Sequence, residues 1–538
     1  MPIRAMERFN TTGGIAALIF AVVSFGLFWV HGNRLVFSLD EGIVLDAATR
    51  MLHGETLYRD FFGYMSPGGY WLQEAAFSLF GLSLRAGRVV VICDFAMQCA
   101  VLFWLTARLA GKKAALAVTA LFFTLQATRP ELLLAQHRMD SAALSLASIA
   151  LCLEGQRRRR GWCWLAAGIL IAGAAVCTPS IALIAPVALI WLVVEPALRR
   201  FLIPYSGGVC IVLTATAAAL AANGSLVPFW RQMTWLQHNY SGVNIMTYGS
   251  VNGGWGTMIG GATGRDLAVL SLTVFCFALP AILPVLALAA WSLWMLFRRG
   301  ERLRAANHTI PYLLACMAMY VASTYPRPDV AHLALVAVLP ATLTAVWIAR
   351  YSPRWLSTGV FAVVAVGAGI FLTEAARGLR HQVDVATPVG MLRASPADAE
   401  AVDALLKAVR PGDGLYAHPY QPVLYFLTQG RNPTRYSYLN PGMMTHSEET
   451  AALDALENSP PRWLLYLTLS RAEFLRVFPH ATDRDHRFRM IDAWSQRDYV
   501  PADPPVVVGG YRLYERAKSG SWKTRAGLAS RRIYTPQQ

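Results

Sequence analysis

The sequence is short of the features that mark most soluble enzymes. Charged residues make up only 15% of its 538 residues and 55% are hydrophobic, too apolar for a wholly soluble chain and too long for one domain. The eight cysteines (Cys93, Cys99, Cys152, Cys163, Cys177, Cys210, Cys276 and Cys316) fall in apolar stretches, with no CxxC spacing and none in the C-terminal region. That pattern argues against a disulfide framework and a thiolate metal centre. There is no internal repeat, no P-loop, and no GxGxxG between a strand and a helix. A net charge of +16 would suit nucleic acid, but the arginines lie between apolar stretches, where they act as loop charges that orient a membrane protein. No nucleic-acid partner is expected.

What is present is a series of long apolar runs. A bilayer core of about 30 Å needs roughly 20 apolar residues in a helix, since every backbone polar group must be satisfied internally. Eleven spans are marked on that test, at about 12–31, 86–108, 113–128, 132–153, 162–179, 181–198, 201–222, 267–297, 310–325, 331–350 and 355–374, of which 113–128 and 310–325 are short. Arg4 and Arg8 precede the first, and without a small-residue cleavage site it reads as a retained signal anchor. Alternate connections are rich in Lys and Arg: Arg108/Lys112/Lys113, Arg157 to Arg160, Arg199/Arg200, Arg298 to Arg304, and Arg350/Arg354. The positive-inside rule then sets the N-terminus in the cytoplasm and everything beyond residue 375 outside, across an inner (plasma) membrane.

Two outer loops, 32–85 and 223–266, are long enough to hold structure. In the first, Ile43, Val44, Ala47 and Met51 recur at helical spacing over Glu41 to His53, and Trp71 to Leu84 forms a second amphipathic stretch. Both are expected to lie at the membrane interface. The second loop carries Trp230, Trp235, Tyr240, Tyr248 and Trp255, a composition suited to the headgroup zone and to sugar contact. Residues 376–517 read as a soluble α/β unit. Helices are expected over Ala397–Val409, Gln421–Thr428 and Glu448–Glu457, and strands over Gly414–Ala417, Trp463–Leu467 and Tyr511–Tyr514. The remainder, 518–538, is expected to be a disordered tail.

Four clusters can carry chemistry. Asp40 and Glu41 follow the first span, where one carboxylate can take a proton from a hydroxyl and the other can orient it or bind a cation. The same pair also fits a helix start, with Asp40 as cap and Glu41 at the positive end of the dipole. Next come Tyr58, Arg59 and Asp60, then Pro67-Gly68-Gly69, whose small residues would let the backbone approach a ligand; a structured interfacial loop is the alternative. His137, Arg138 and Asp140 lie inside an apolar segment, where ionisable groups are costly unless they face a cavity or pair with one another. Arg138 has the fork geometry that matches phosphate. Finally, Arg327 and His332 lie in the proline-stiffened loop Tyr325 to His332, and either a surface turn or an anion site explains them.

Taken together, Asp40-Glu41, the run Leu57-Tyr58-Arg59-Asp60 with Pro67-Gly68-Gly69-Tyr70-Trp71, Asp140 in the fourth span and a His-containing loop before a late span resemble the GT-C superfamily. Within it the likeness is to bacterial protein-mannosyltransferase-like and aminoarabinose-transferase-like enzymes. It covers residues 1 to about 375 in layout, with specific motifs confined to roughly 36–72 and 129–150. The stretches His418 to Phe426 and Asn432 to Tyr436 resemble the periplasmic tail of bacterial members. The resemblance implies a polytopic α-helical membrane domain over 1–375 carrying a small α/β domain. It also implies inverting transfer of a sugar from a polyprenyl-phosphate donor to a glycan, lipid or protein acceptor.

On that resemblance the base falls on Asp40, the second acidic position on Asp140 and a further one on Asp60. The Glu-Lys that aminoarabinose transferases carry before the proline-rich turn is missing, since the region reads Asp60-Phe61-Phe62, so that donor is not supported. Phosphate binding then rests on Arg59, Arg138 or Arg327, or on a divalent metal ion, for which Asp60 and Asp140 are the candidate ligands. A transporter or flippase of a lipid-linked saccharide, and a non-catalytic envelope-assembly protein, are the rival readings. The first is expected to place polar sites at the bilayer midplane in repeated halves, and the second to tolerate loss of Asp40 and Asp140.

Overall fold

The structure, a computed structural model, describes residues 2–127, 132–240, 242–250, 309–351, 353–478, 480–481 and 486–517, with Gly264, Leu267 and Ser271. The span expected at 267–297, the cationic connection after it, the turn at 129–131, Trp255 and the tail 518–538 lie outside the described residues.

The ten other expected spans all coincide with helices. In order these are α1 (Pro2–His31), α4 (Leu84–Ala110), α5 (Lys112–Ala127), α6 (His137–Arg158), α7 (Gly161–Cys177), α8 (Ile184–Val194), α9 (Leu202–Ala222), α11 (Thr309–Ser323), α13 (Val338–Tyr351) and α14 (Arg354–Arg380). Among the described residues, Thr11–His31, Leu84–Ala110 and Pro196–Ala222 are long and apolar enough to cross a membrane by length and composition. Shorter apolar helices include Gly161–Cys177 and Thr309–Ser323. Close crossing of α7 and α9 depends on glycine: a Cβ on Gly168 would collide with the Tyr205 carbonyl oxygen, and one on Gly208 with that of Leu165. Small residues at such a crossing let two helix backbones touch where no hydrophobic drive separates lipid from protein.

The first outer loop folds into α2 (Leu39–Leu52) and α3 (Pro67–Phe80), and the second opens with α10 (Leu226–Asn239). Pro67 stands at the first position of α3, where its missing N–H costs nothing. In contrast to the expected interfacial helix, α2 is buried continuously from Glu41 to Thr49. The reason lies 380 residues away in the chain, roughly: the short helix α16 (Val423–Thr428) lies on its other face, so closely that a Cβ on Gly42 would strike the Val423 amide.

The C-terminal unit contains a hairpin, β1 (Val383–Thr387) with β2 (Gly390–Ala394), and a sheet ordered β3-β4-β7-β5. Strands β3 (Leu415–His418) and β4 (Trp463–Tyr466) run parallel; β7 (Tyr511–Arg516) is antiparallel to β4 and to β5 (Tyr499–Pro501). The expected helices appear as α15 (Pro396–Ala408), α16 and α17 (His446–Asn458). The hairpin was not expected. It is completed by the chain after α1, where Leu35 N–H donates to the Arg393 carbonyl (2.7 Å) and Arg393 N–H to that of Asn33 (2.8 Å).

A buried polar network seals this unit to α2. The Asp46 carboxylate accepts from the Ser437 hydroxyl, and Arg50 bridges Glu55 (2.6 Å), Ser437 Oγ (3.3 Å) and the Thr434 carbonyl (3.3 Å). Burial pushes the Asp46 carboxyl up from 3.8 to about 6, against the pull of Arg50 and Ser437, with Glu55 adding to the rise. A raised carboxyl pKa stabilises the fold below its unfolded value and loses that contribution as pH rises through the folded one. Stability should therefore fall by about 3 kcal/mol between pH about 4 and about 6, and Asp46→Asn should flatten that slope. Thermal unfolding of the two proteins across that range checks it; equal slopes would remove Asp46 as the cause.

Candidate active site

Ser38 has extended backbone before α2 and makes no side-chain cap, and Asp40 and Glu41 occupy the first turn. Neighbours on a helix point about 100° apart, so the two carboxylates part company. Glu41 turns inward and is fully buried. Its oxygens accept from Arg88 Nε (2.8 Å) and Nη2 (2.7 Å) and from the Ala135 amide (3.2 Å), while Arg88 Nη1 donates to the His31 carbonyl (2.6 Å). Glu41 was expected to share in the chemistry; instead this bidentate pair joins α1, α2 and α4. Asp40 is exposed, and its carboxylate makes no hydrogen bond to any described residue.

Four chain segments meet in front of Asp40. Tyr64, from the loop before α3, and Tyr240, at the end of α10, lie near parallel with ring centroids 6.4 Å apart. The Tyr64 hydroxyl is held well above the usual phenol range, first by burial and then by Asp40 and Tyr240, against the influence of Arg138. Tyr240 is likewise raised, first by burial, then by Asp40 and Asp329, with Arg138 and Arg327 opposing. Arg138, in the first turn of α6, also lies within electrostatic reach of His137 and His332. Asp40 and Arg138 thus both act electrostatically on the two tyrosines, and Arg327 on Tyr240.

Backbone pairing holds the far wall. Met246 N–H donates to the Pro326 carbonyl (3.0 Å), Gly249 N–H to that of Pro328 (2.7 Å), and Val330 N–H to that of Ser250 (2.9 Å). Asp329 caps the short helix α12 (Val330–Leu335), accepting from the His332 amide (3.0 Å) and pairing with His332 Nδ1 (2.7 Å) and Arg327 Nε (3.4 Å). Burial works to raise the Asp329 carboxyl, but His332 and Arg327 outweigh it and hold it below the usual value. Arg327 also donates to Asn244 Oδ1 (3.2 Å). Arg327 and His332 are therefore both engaged by Asp329. The half-buried Arg138 guanidinium, by contrast, makes no ion pair or hydrogen bond with a described residue.

Other expected site residues are placed elsewhere. Tyr58 is buried in a left-handed conformation (φ 69°), with its hydroxyl donating to the Met65 carbonyl (2.6 Å), so it anchors the loop. Gln232 of α10 fastens the same loop, donating to the Tyr58 carbonyl (2.9 Å) and accepting from the Gly63 amide (2.8 Å). Arg59 and Asp60 form an exposed pair (2.9 Å), and Arg59 reaches the Asn223 carbonyl (3.2 Å). The Arg59 hydrogen bonds bring the Asp60 carboxyl down to about 2. The cation and the anion are thus matched to each other in a solvated loop.

Asp140 is buried against Asp94 and Cys177. Pro67-Gly68-Gly69 covers it: a Cβ on Gly69 would lie 3.2 Å from Asp140 Oδ2, and one on Gly68 2.7 Å from Cys177 Sγ. These glycines serve the contact of α3 with α6 and α7, correcting the expectation that they admit a ligand. Among the described residues no group of three or more His, Cys, Asp or Glu gathers as metal ligands. With Asp60 paired to Arg59 and Asp140 beneath Gly69, the described residues do not gather a ligand set for a divalent ion, and no step is routed through one. Tyr64 and Asn244 were missed in the sequence, since neither stands in a polar cluster; only the pairing of distant loops brings them to the site.

The comparisons with known proteins agree with this architecture. The sequence family described as dolichyl-phosphate-mannose-protein mannosyltransferase matches residues 65–223. The fold is similar to that of ArnT from Cupriavidus metallidurans bound to undecaprenyl phosphate, at 16% identity and a TM-score of 0.53, over 96% of this chain and 99% of that one. It is also similar to the apo oligosaccharyltransferase of Archaeoglobus fulgidus, at 13% identity and a TM-score of 0.50, over 95% of this chain and 74% of the other. No curated protein sequence matches the chain. The fold is thus that of the GT-C glycosyltransferases, which are integral membrane proteins. Within that class the chain resembles the protein-mannosyltransferase-like and ArnT-like members.

Proposed function

We propose that this protein transfers a sugar from a polyprenyl-phosphate donor to an acceptor hydroxyl at the outer face of the inner membrane, with inversion at the anomeric carbon. Asp40 takes the proton of the acceptor hydroxyl as its oxygen attacks that carbon. On the opposite side the carbon–oxygen bond to the phosphate breaks, and the polyprenyl phosphate leaves with the electron pair. Most charge develops on that phosphate, so a preorganised cation there contributes most to the rate. Arg138 takes this role, while Arg327 and His332 are held by Asp329. The membrane domain is assigned to residues 1–375 and the extracytoplasmic unit to 376–517, with the N-terminus cytoplasmic.

The observation that carries this reading is that a carboxylate, Asp40, and a guanidinium, Arg138, neither of them bonded to a described residue, both act electrostatically on the stacked pair Tyr64 and Tyr240. A base and a phosphate partner brought from different chain segments to one aromatic pair is what in-line displacement needs. The undecaprenyl phosphate bound to the structurally similar ArnT is in keeping with such a donor. To test it, membranes holding the protein are supplied with radiolabelled undecaprenyl-phosphate sugars, and transfer to lipid, glycan and protein fractions is counted. Label should move with the wild type, and Arg138→Gln should slow it by about a hundredfold. Absence of transfer from every donor by well-folded protein would overturn the reading.

A further inference from the structure

We propose that Gln232 and Arg435 are positioning residues for the transfer: both donate to one buried oxygen, the Tyr58 carbonyl, and so hold the loop that sets Tyr64 and the helix of Asp40 in place. This rests on the assignment of Asp40 as base above and names what fixes its surroundings. Gln232 Nε2 reaches that oxygen from α10 (2.9 Å), and Arg435 Nη2 reaches it from the C-terminal unit (3.2 Å). A carbonyl oxygen carries two lone pairs, so both bonds form at once. Tyr58 is fully buried, which takes its oxygen away from bulk water. Its φ of 69° is one that a tyrosine keeps only where the surroundings over-determine it.

The same two segments tie the loop before and after that oxygen. Ser225 Oγ donates to the Leu57 carbonyl (2.7 Å), Gln232 Oε1 accepts from the Gly63 amide (2.8 Å), and the Phe62 amide donates to the Arg435 carbonyl (2.8 Å). Residues 57–66 contain no helix, so these bonds set the shape of the loop. What the loop supports is the site. Tyr58 and Phe61 share one buried cluster with Ile43 and Val44 of α2, and both Leu39, the residue before Asp40, and Tyr64 pack against it. The Arg50 guanidinium of α2 lies over the Phe61 ring (4.8 Å). A displacement of about 1 Å at a reacting group costs about a hundredfold in rate. A loop that lets α2 and Tyr64 shift therefore slows the reaction without any contact to the donor.

The test is a double-mutant cycle on the full chain in lipid nanodiscs: Gln232→Met, Arg435→Met and the two together. It reads kcat and donor KM with the radiolabelled undecaprenyl-phosphate sugar that the wild type uses, and hydrogen exchange of the peptide covering 57–66. Either single variant leaves the Tyr58 oxygen one donor and should lower kcat about threefold. The double variant strands that oxygen and should lower kcat about a hundredfold, where independent effects would give about ninefold. Donor KM should stay within about twofold of wild type, and exchange over 57–66 should rise most in the double variant. Losses that simply multiply, a raised KM at unchanged kcat, or wild-type exchange over 57–66 in the double variant would overturn the inference. Where the double variant does not accumulate, Gln232→Met alone decides, since it removes both bonds of Gln232 to the loop: kcat equal to wild type there would overturn it too. Wild-type protein that transferred from no donor would sink the assignment of Asp40 itself, whereas absence of synergy in an active enzyme sinks only the positioning, so the two failures are told apart.

Discussion

Asp40→Asn should lower sugar transfer by about 10³-fold, the scale of a lost general base, with no measurable change in thermal stability. The asparagine amide has nearly the same shape but cannot take up a proton at neutral pH. Asp40 is exposed and makes no hydrogen bond to a described residue, so its carboxylate fastens nothing among them. Donor binding should survive, since Arg138 remains. The measurement is single-turnover transfer of labelled sugar alongside an unfolding scan. Turnover at the wild-type rate would take Asp40 out of the mechanism, and a large loss of stability would assign it to the fold.

The neighbouring residue should behave in the opposite way. Glu41→Ala leaves Arg88, itself only 1% exposed, with two backbone carbonyls and no counter-charge. Removing one partner of a buried ion pair costs about 3–5 kcal/mol, because the stranded charge cannot be rehydrated. The protein should unfold at much lower temperature, or fail to accumulate, while whatever remains folded keeps its donor affinity. Glu41→Gln, which still accepts a hydrogen bond from Arg88, should be milder. A Glu41→Ala protein of wild-type stability but without activity would instead restore Glu41 to the chemistry.

The contrast between adjacent carboxylates shows where a linear reading stops. Apolar runs predict helices because burial and backbone satisfaction act locally and in register with a known period. The helices at the ten described positions were therefore readable, as were the helices and strands around Ala397–Val409, Trp463–Leu467 and Tyr511–Tyr514. Asp40, His137, Arg138, Arg327 and His332 could also be singled out, since ionisable groups in apolar surroundings are conspicuous. Their assembly was another matter. That Glu41 meets Arg88, and that Asp329 engages Arg327 and His332 while Arg138 bonds no described residue, are facts about contacts between remote segments. So is the hairpin completed by Asn33 and Leu35.

Composition and periodicity, then, dictated a helical membrane protein with an α/β appendage, because those properties are written residue by residue. Which charges are spent on holding the fold and which are left for a substrate depended on partners brought together from far along the chain. A side chain's chemistry is set by what neutralises it, and no local pattern names that neighbour.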